Sequence, residues 1–140
     1  MTPSQTKVPA AKMSRLLYAS MITGVLLFAL IAHFVMRPAA VEPGLFPPVV
    51  VQALLGAALA LSALSFVLRR RVPRRAMDES ADLFWTRAQT NALTTWAVAE
   101  GAGLISVLVY SQTGSASAIG VGAIALVCYL LHTPASLERR

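Results

Sequence analysis

The stretch Thr94–Tyr110, TTWAVAEGAGLISVLVY, is apolar along almost its whole length and carries a single acid, Glu100. Whether it crosses a membrane decides the fold, because it sets how many times the chain changes sides. An apolar run of about 18 or more residues is long enough to cross, since roughly 20 residues at 1.5 Å rise span a hydrocarbon core of about 30 Å. Extended back to Ala88, the run meets that length and puts Glu100 near the bilayer centre.

Three further runs have the same character. Leu16–Met36 (LLYASMITGVLLFALIAHFVM) and Val49–Leu68 (VVVQALLGAALALSALSFVL) contain no Lys, Arg, Asp or Glu, and Ser115–His132 (SASAIGVGAIALVCYLLH) is the shortest. The spans expected are therefore about 16–36, 49–68, 88–110 and 115–132, in one membrane domain covering 1–140. Of the 140 residues, 56% are hydrophobic and 13% charged, with a mean hydropathy of +0.66. This composition excludes an ordinary soluble domain. At 21 residues the first run exceeds the roughly 7–15 of a signal-peptide core, so it reads as a retained span.

The distribution of basic residues supports an even number of crossings. With four spans, every Lys and Arg except Arg37 falls on one side: Lys7, Lys12 and Arg15 before the first, Arg69, Arg70, Arg71, Arg74, Arg75 and Arg87 in the loop 69–87, Arg139 and Arg140 at the end. The positive-inside rule then places both termini and the central loop in the cytoplasm. The expectation is an all-α integral membrane four-helix bundle in the cell membrane, the inner one where there are two. Arg69, Arg70, Arg71, Arg74 and Arg75 read as membrane anchors facing anionic head groups, with Trp85 at the same interface and Tyr110 at the opposite one. The loop has neither interleaved stacking aromatics nor a recognisable nucleic-acid fold, so the net charge of +6 points to lipid and not to nucleic acid.

The outer loop Arg37–Pro48 is proline-rich, which sets φ and removes amide donors, and Pro47 and Pro48 suit the first turn of the second helix. Asp78 or Ser80 suits the N-cap of the third. Lipid tails are as apolar as leucine, so membrane helices associate at small residues. The pairs that offer such contacts are Gly56 with Ala60, Ala97 with Gly101, Ala99 with Gly103, Ala116 with Gly120, and Ala118 with Gly122. The first helix has larger side chains and is expected at the periphery.

Glu100 is the candidate functional residue. A charge at mid-membrane costs on the order of 3 kcal/mol, and a carboxyl lessens that by staying protonated. Arg87 lies about 20 Å away along a helix. Three roles are open: a clasp from protonated Glu100 to Thr23, Ser62, Thr95, Ser106, Trp96 or a backbone carbonyl; a proton- or cation-exchanging carboxyl; and a contact with a partner subunit.

AVAEGAGLISVLVY, preceded by the small-residue stripe Gly56, Ala58, Ala60, Ser62 and the basic loop RRRVPRR, resembles the helical hairpin of the rotary ATP synthase c subunits, or proteolipids, over residues 49–110. The resemblance implies that Glu100 is an ion-binding acid and that the connecting loop is cytoplasmic.

Nothing else suggests chemistry. The sequence offers no carboxylate pair, nucleophile triad, phosphate-binding loop or metal-ligand cluster, and Cys128 is single. His33 and His132 fall at opposite interfaces. A non-enzymatic protein without cofactor is expected: a structural or accessory subunit acting through helix contacts, as a homo-oligomer or in a larger membrane complex, with a proton- or cation-translocating proteolipid-like role as the alternative.

Overall fold

A computed structural model describes residues 8–36 and 46–139. The described chain is helical without strands: α1 (Ala10–Ile31) runs into a π-helical turn (Ala32–Met36), followed by α2 (Pro48–Arg69), α3 (Ala81–Thr113), α4 (Ala116–Leu131) and the short α5 (Pro134–Glu138). Three segments are long and apolar enough to cross a membrane: Ala10–Met36, Pro48–Arg69 and Ala81–Thr113. At 16 residues α4 falls below that length, reaching about 24 Å. Lys7, Arg37, Arg140 and most of the proline-rich outer loop lie outside the described residues.

Local chemistry sets the helix ends. Pro48 occupies the first position of α2, where a missing amide donor costs nothing. Ser80, and not Asp78, caps α3 by accepting from the Leu83 amide at 3.3 Å. Gly114 ends α3 at φ 62°, a left-handed conformation that favours glycine. Ser115 then caps α4 through the Ala118 amide at 3.3 Å. Two residues therefore reverse the chain, and α3 and α4 are antiparallel neighbours. α1 has no side-chain cap of its own; Asp82 in the first turn of α3 accepts from the Ala11 amide at 3.0 Å, joining the starts of two helices.

α3 is the central element and packs against α1, α2 and α4, while α1 meets α4 through Tyr18, whose hydroxyl donates to the Tyr129 carbonyl at 3.2 Å. Its 33 residues bury Ala88, Ala92, Ala99 and Ala102 on faces turned to different neighbours. α1 is peripheral, as its larger side chains suggest: Leu26, Leu27, Leu30 and Ile31 are exposed. Exposed leucines, valines and isoleucines also cover the outer faces of α2 and α4, an apolar exterior suited to lipid.

The small-residue pairs divide by face. Ala99 and Gly103 look inward, and a Cβ on Gly103 would stand 3.3 Å from Val25 Cγ1 of α1, so absence of a side chain there sets the α1–α3 approach. Ala118 is buried, and a Cβ on Gly122 would lie 3.4 Å from Ser106 Cβ. Gly56, Ala60, Ala97, Ala116 and Gly120 are exposed, and Gly101 is half-buried with Leu61 Cδ1 4.0 Å from an added Cβ. The α2 pair was thus expected in a contact it does not make: Ala58, Ser62 and Ser65 form the packed face instead, because Gly56 and Ala60 sit one turn apart on the opposite stripe.

The densest packing lies at the end of the bundle where α1 and α3 begin and α4 ends. Trp85 and Trp96 stand 5.9 Å apart, Tyr18 meets Trp96 edge-on at 5.3 Å and stacks on Tyr129 at 5.0 Å. Trp85, expected at the lipid interface, is fully buried, and its indole donates to Glu138 Oε1 at 2.7 Å. The short α5 folds back to meet it, which the sequence did not signal. His132, expected at the interface, is likewise buried in the bundle. Trp96 Nε1 donates to the His132 carbonyl at 2.7 Å, while His132 Nε2 lies 3.0 Å from Ser65 Oγ. The Ser65 hydroxyl gives its one proton to the Ser62 carbonyl at 2.6 Å, so the network assigns the donor role in the second bond to His132 Nε2.

The loop 70–80 is clipped to α3. Val72 inserts into the aromatic core, Asn91 Nδ2 donates to the Arg71 carbonyl at 3.2 Å, and Arg87 holds Glu79 through bonds of 2.7 and 2.9 Å. The bonded Arg87 guanidinium holds the Glu79 carboxyl below its ordinary 4.5, against a smaller opposing effect of burial.

Two outcomes follow from these contacts. Trp96→Phe leaves a buried carbonyl without its donor and should lower stability by about 1–3 kcal/mol, read as a lower unfolding midpoint in detergent, whereas Gly56→Leu should leave the midpoint unchanged. Because the Glu79 pKa is lowered in the fold, its contribution is present above the ordinary value and lost as pH falls through the lowered one. Protection of the loop 70–80 amides, relative to their intrinsic exchange at each pH, should therefore hold at neutral pH and fall on acidification below 4.5, and Arg87→Gln should remove that step.

Candidate functional site

Glu100 lies on the face of α3 that also carries Gly103, Val107 and Tyr110, spacings of three and four residues that align on one stripe. That stripe forms the floor of a cavity of about 410 Å³ between α1, α3 and α4. One wall comes from Ile22, Val25, Leu26 and Ala29 of α1, the other from Ile119, Gly122, Leu126 and Tyr129 of α4. Gly103 and Gly122 border the space where α3 approaches α1 and α4 closely, an added Cβ standing 3.3 Å from Val25 Cγ1 and 3.4 Å from Ser106 Cβ. Leu26 and Ile119, on opposite walls, are about half exposed at 45% and 55%, so the cavity opens laterally on the apolar exterior.

The polar groups of the cavity are few. Glu100 is half-buried and makes no hydrogen bond or ion pair to any described residue. The hydroxyls expected to clasp it are engaged elsewhere: Ser62 donates to the Ala58 carbonyl at 2.9 Å, Thr95 to Asn91 at 2.9 Å and Ser106 to Ala102 at 2.9 Å. Each bonds to the preceding turn of its own helix, the local option always open to Ser and Thr. The Trp96 indole is spent on His132, and Thr23 is exposed on α1. The clasp expected within the chain is therefore absent among the described residues.

Tyr129 faces the same cavity from α4, 3% exposed. Its hydroxyl has no hydrogen-bond partner among the described residues, and it lies within electrostatic reach of Glu100. The sequence reading did not single it out, since nothing in its local stretch tells which neighbour that face of α4 meets. At the far end His33 Nδ1 and Tyr110 Oη share a hydrogen bond of 2.8 Å, their rings stacked at 6.1 Å. The π-helical turn Ala32–Met36 carries His33 there, in keeping with the frequent use of such turns at functional sites.

The remaining expected residues do not join this site. Gly56, Ala60, Ala97 and Gly120 face outward on three different helices, and Gly101 borders a shallow depression between α2 and α3. Arg70, Arg71 and Arg74 are exposed at the opposite end, Arg69 is half-buried, and Arg75 donates through Nε to the Glu79 carbonyl at 2.9 Å. Groups of His, Cys, Asp and Glu able to hold a metal ion are absent among the described residues.

No family model, curated protein or solved structure matches the chain. The likeness to the proteolipid hairpin thus rests on the quoted residues alone.

Since Glu100 makes no bond that a substitution would break, Glu100→Leu should be at least as stable as the native chain in detergent. This contrasts with the loss expected for Trp96→Phe, and comparing the two unfolding midpoints checks it.

Proposed function

We propose that this chain is a small, non-enzymatic, multi-pass membrane protein whose working group is Glu100, a proton- or cation-exchanging carboxyl in an intramembrane cavity. The observation that supports this most is the unengaged carboxyl on the wall of an apolar space open to the lipid side. A carboxyl kept only for structure is expected to be hydrogen-bonded, and intramembrane acids otherwise mark ion or substrate paths. The resemblance to the proteolipid hairpin points the same way.

We infer four crossings with both termini cytoplasmic, in the cell membrane. α4 is short by about 6 Å against a core of about 30 Å, a mismatch that local thinning accommodates at modest cost. The starts of α1 and α3 are joined by Ala11 and Asp82, and Arg15 meets Glu138 at 3.3 Å. Lys12, Arg15, Arg87 and Arg139 thereby gather at one end of the bundle with the basic loop, the asymmetry expected of a cytoplasmic face.

A hydrophobic carbodiimide tests the role of Glu100, since it adds only to a protonated carboxyl and partitions into apolar sites. Mass spectrometry of the native protein in lipid nanodiscs should place the adduct on Glu100, decreasing as pH rises, with none in Glu100→Gln. Absence of an adduct at every pH would remove the exchanging-carboxyl reading. A fluorescent-protein fusion at the C-terminus should be bright in a bacterial host, and an alkaline phosphatase fusion at the same point inactive, if the terminus is cytoplasmic.

A second reading, an accessory subunit acting through helix contacts, draws on the outward-facing Gly56 and Gly120, where an added Cβ meets nothing within 4 Å. Small residues on a lipid-facing stripe admit a neighbouring helix closely. If they serve that end, Gly56→Leu and Gly120→Leu should reduce the particle mass in mild detergent while the fold persists. An unchanged mass would count against this reading.

A further inference from the structure

We propose that the cavity between α1, α3 and α4 binds a lipophilic organic cation, an apolar body bearing a protonated amine, with the ammonium between Glu100 and Tyr129. The inference rests on the reading of Glu100 as an exchanging carboxyl and adds the class of ligand it takes. Three features of the site select that class.

The first is charge. Glu100 faces the cavity without a partner among the described residues; no described Lys or Arg lines the space, and His33, the one basic side chain that does, is bonded to Tyr110 at the far end, so the carboxylate is left to pair with a cation brought by a ligand. The second is the set of donors. A hard metal cation such as Mg²⁺ or Ca²⁺ takes about six to eight oxygen ligands. Here the walls are mostly Ile, Val, Leu, Ala and Gly, the Ser106 hydroxyl is already committed to its own helix, and His33 and Tyr110 at the far end are bonded to each other. An ammonium needs only a few acceptors. The Glu100 carboxylate supplies the charge-assisted one, and the hydroxyl of Tyr129, a residue lining the same space, has no partner among the described residues and supplies another once a small side-chain shift uncovers it. The third is shape. At about 410 Å³ the cavity is within the range of about 300–1,000 Å³ typical of small-molecule sites. Its mouth between Leu26 and Ile119 opens where a molecule dissolved in lipid arrives.

A hydrocarbon chain would fill the walls and leave both polar groups unanswered, which is costly in an apolar site. The exchange is balanced: protonated Glu100 releases one proton and the carboxylate that remains pairs with the ammonium, so the net charge of the site stays constant.

The test compares 1-adamantanamine, cationic at neutral pH, with 1-adamantanol, its neutral isostere, by equilibrium dialysis against the full chain in nanodiscs. The amine should bind about tenfold or more tightly than the alcohol, the equivalent of about 1.4 kcal/mol. Glu100→Gln should abolish that preference while retaining binding of the alcohol, and Tyr129→Phe should weaken the amine several-fold without changing carbodiimide labelling of Glu100. Equal binding of both probes by the native chain would overturn the proposal and mark the groove as a seat for an apolar molecule. Binding of neither, with Ile119→Cys forming a disulfide between copies in a Cys128→Ser background, would overturn it in favour of a second copy. In either case carbodiimide labelling at Glu100 decides separately whether the exchanging-carboxyl reading survives.

Discussion

The hydrogen bond from the Trp96 indole to the His132 carbonyl, 2.7 Å long and fully enclosed, is the contact on which the rest of the bundle depends. It answers the carbonyl of the residue that ends α4, and it does so from the middle of α3, so the two helices share one register. His132 then reaches Ser65 on α2, and Trp96 carries Tyr18 of α1 on its edge. Four helices thus meet around one residue pair. In a membrane interior lipid offers no polar partner for a freed carbonyl, so such a bond has fewer substitutes than it would in water.

From that junction the bundle is asymmetric. At the junction end aromatic rings fill the space, and bonds between elements close it: Trp85 to Glu138, Asp82 to the start of α1, Arg87 to Glu79. Beyond it the aromatic filling gives way to aliphatic walls on α1 and α4, and the cavity beside Glu100 opens between them. Tight closure at one end holds the helices so that the gap at the other persists. A carboxyl on a loose bundle would find a hydroxyl or carbonyl by rotation; here the Ser and Thr hydroxyls near it are bonded along their own helices, and the framework keeps α1 and α4 from closing over it.

Much of this was legible beforehand in outline. The apolar runs followed from length alone, the N-cap of α3 was narrowed to Asp78 or Ser80 by their positions before a helix, and the periphery of α1 followed from its bulky residues. The prominence of Glu100 followed from its being the one acid in such a run. What was misjudged shares one cause. Trp85 and His132 were read as interfacial by their places near helix ends, yet both are buried, because α5 folds back onto Trp85 and the Ser65 and Phe66 side chains of α2 enclose His132. Gly56 and Ala60 satisfy the small-residue spacing as well as Ala99 and Gly103 do, but spacing states only that two residues share a face, not which neighbour that face meets.

The sequence by itself determined that this is a helical chain of a membrane, because hydrocarbon length and apolarity act residue by residue along a segment and need no knowledge of the others. It also determined that a lone acid would stand amid small side chains in the third apolar run. Only the tertiary structure decided what that acid faces. Helix rotation and the choice of neighbours turned Tyr129 of α4 toward it, withdrew every expected clasp and left a space between two helices far apart in sequence. Those outcomes depend on the summed fit of many side chains across helices, so no single stretch, TTWAVAEGAGLISVLVY included, contains them.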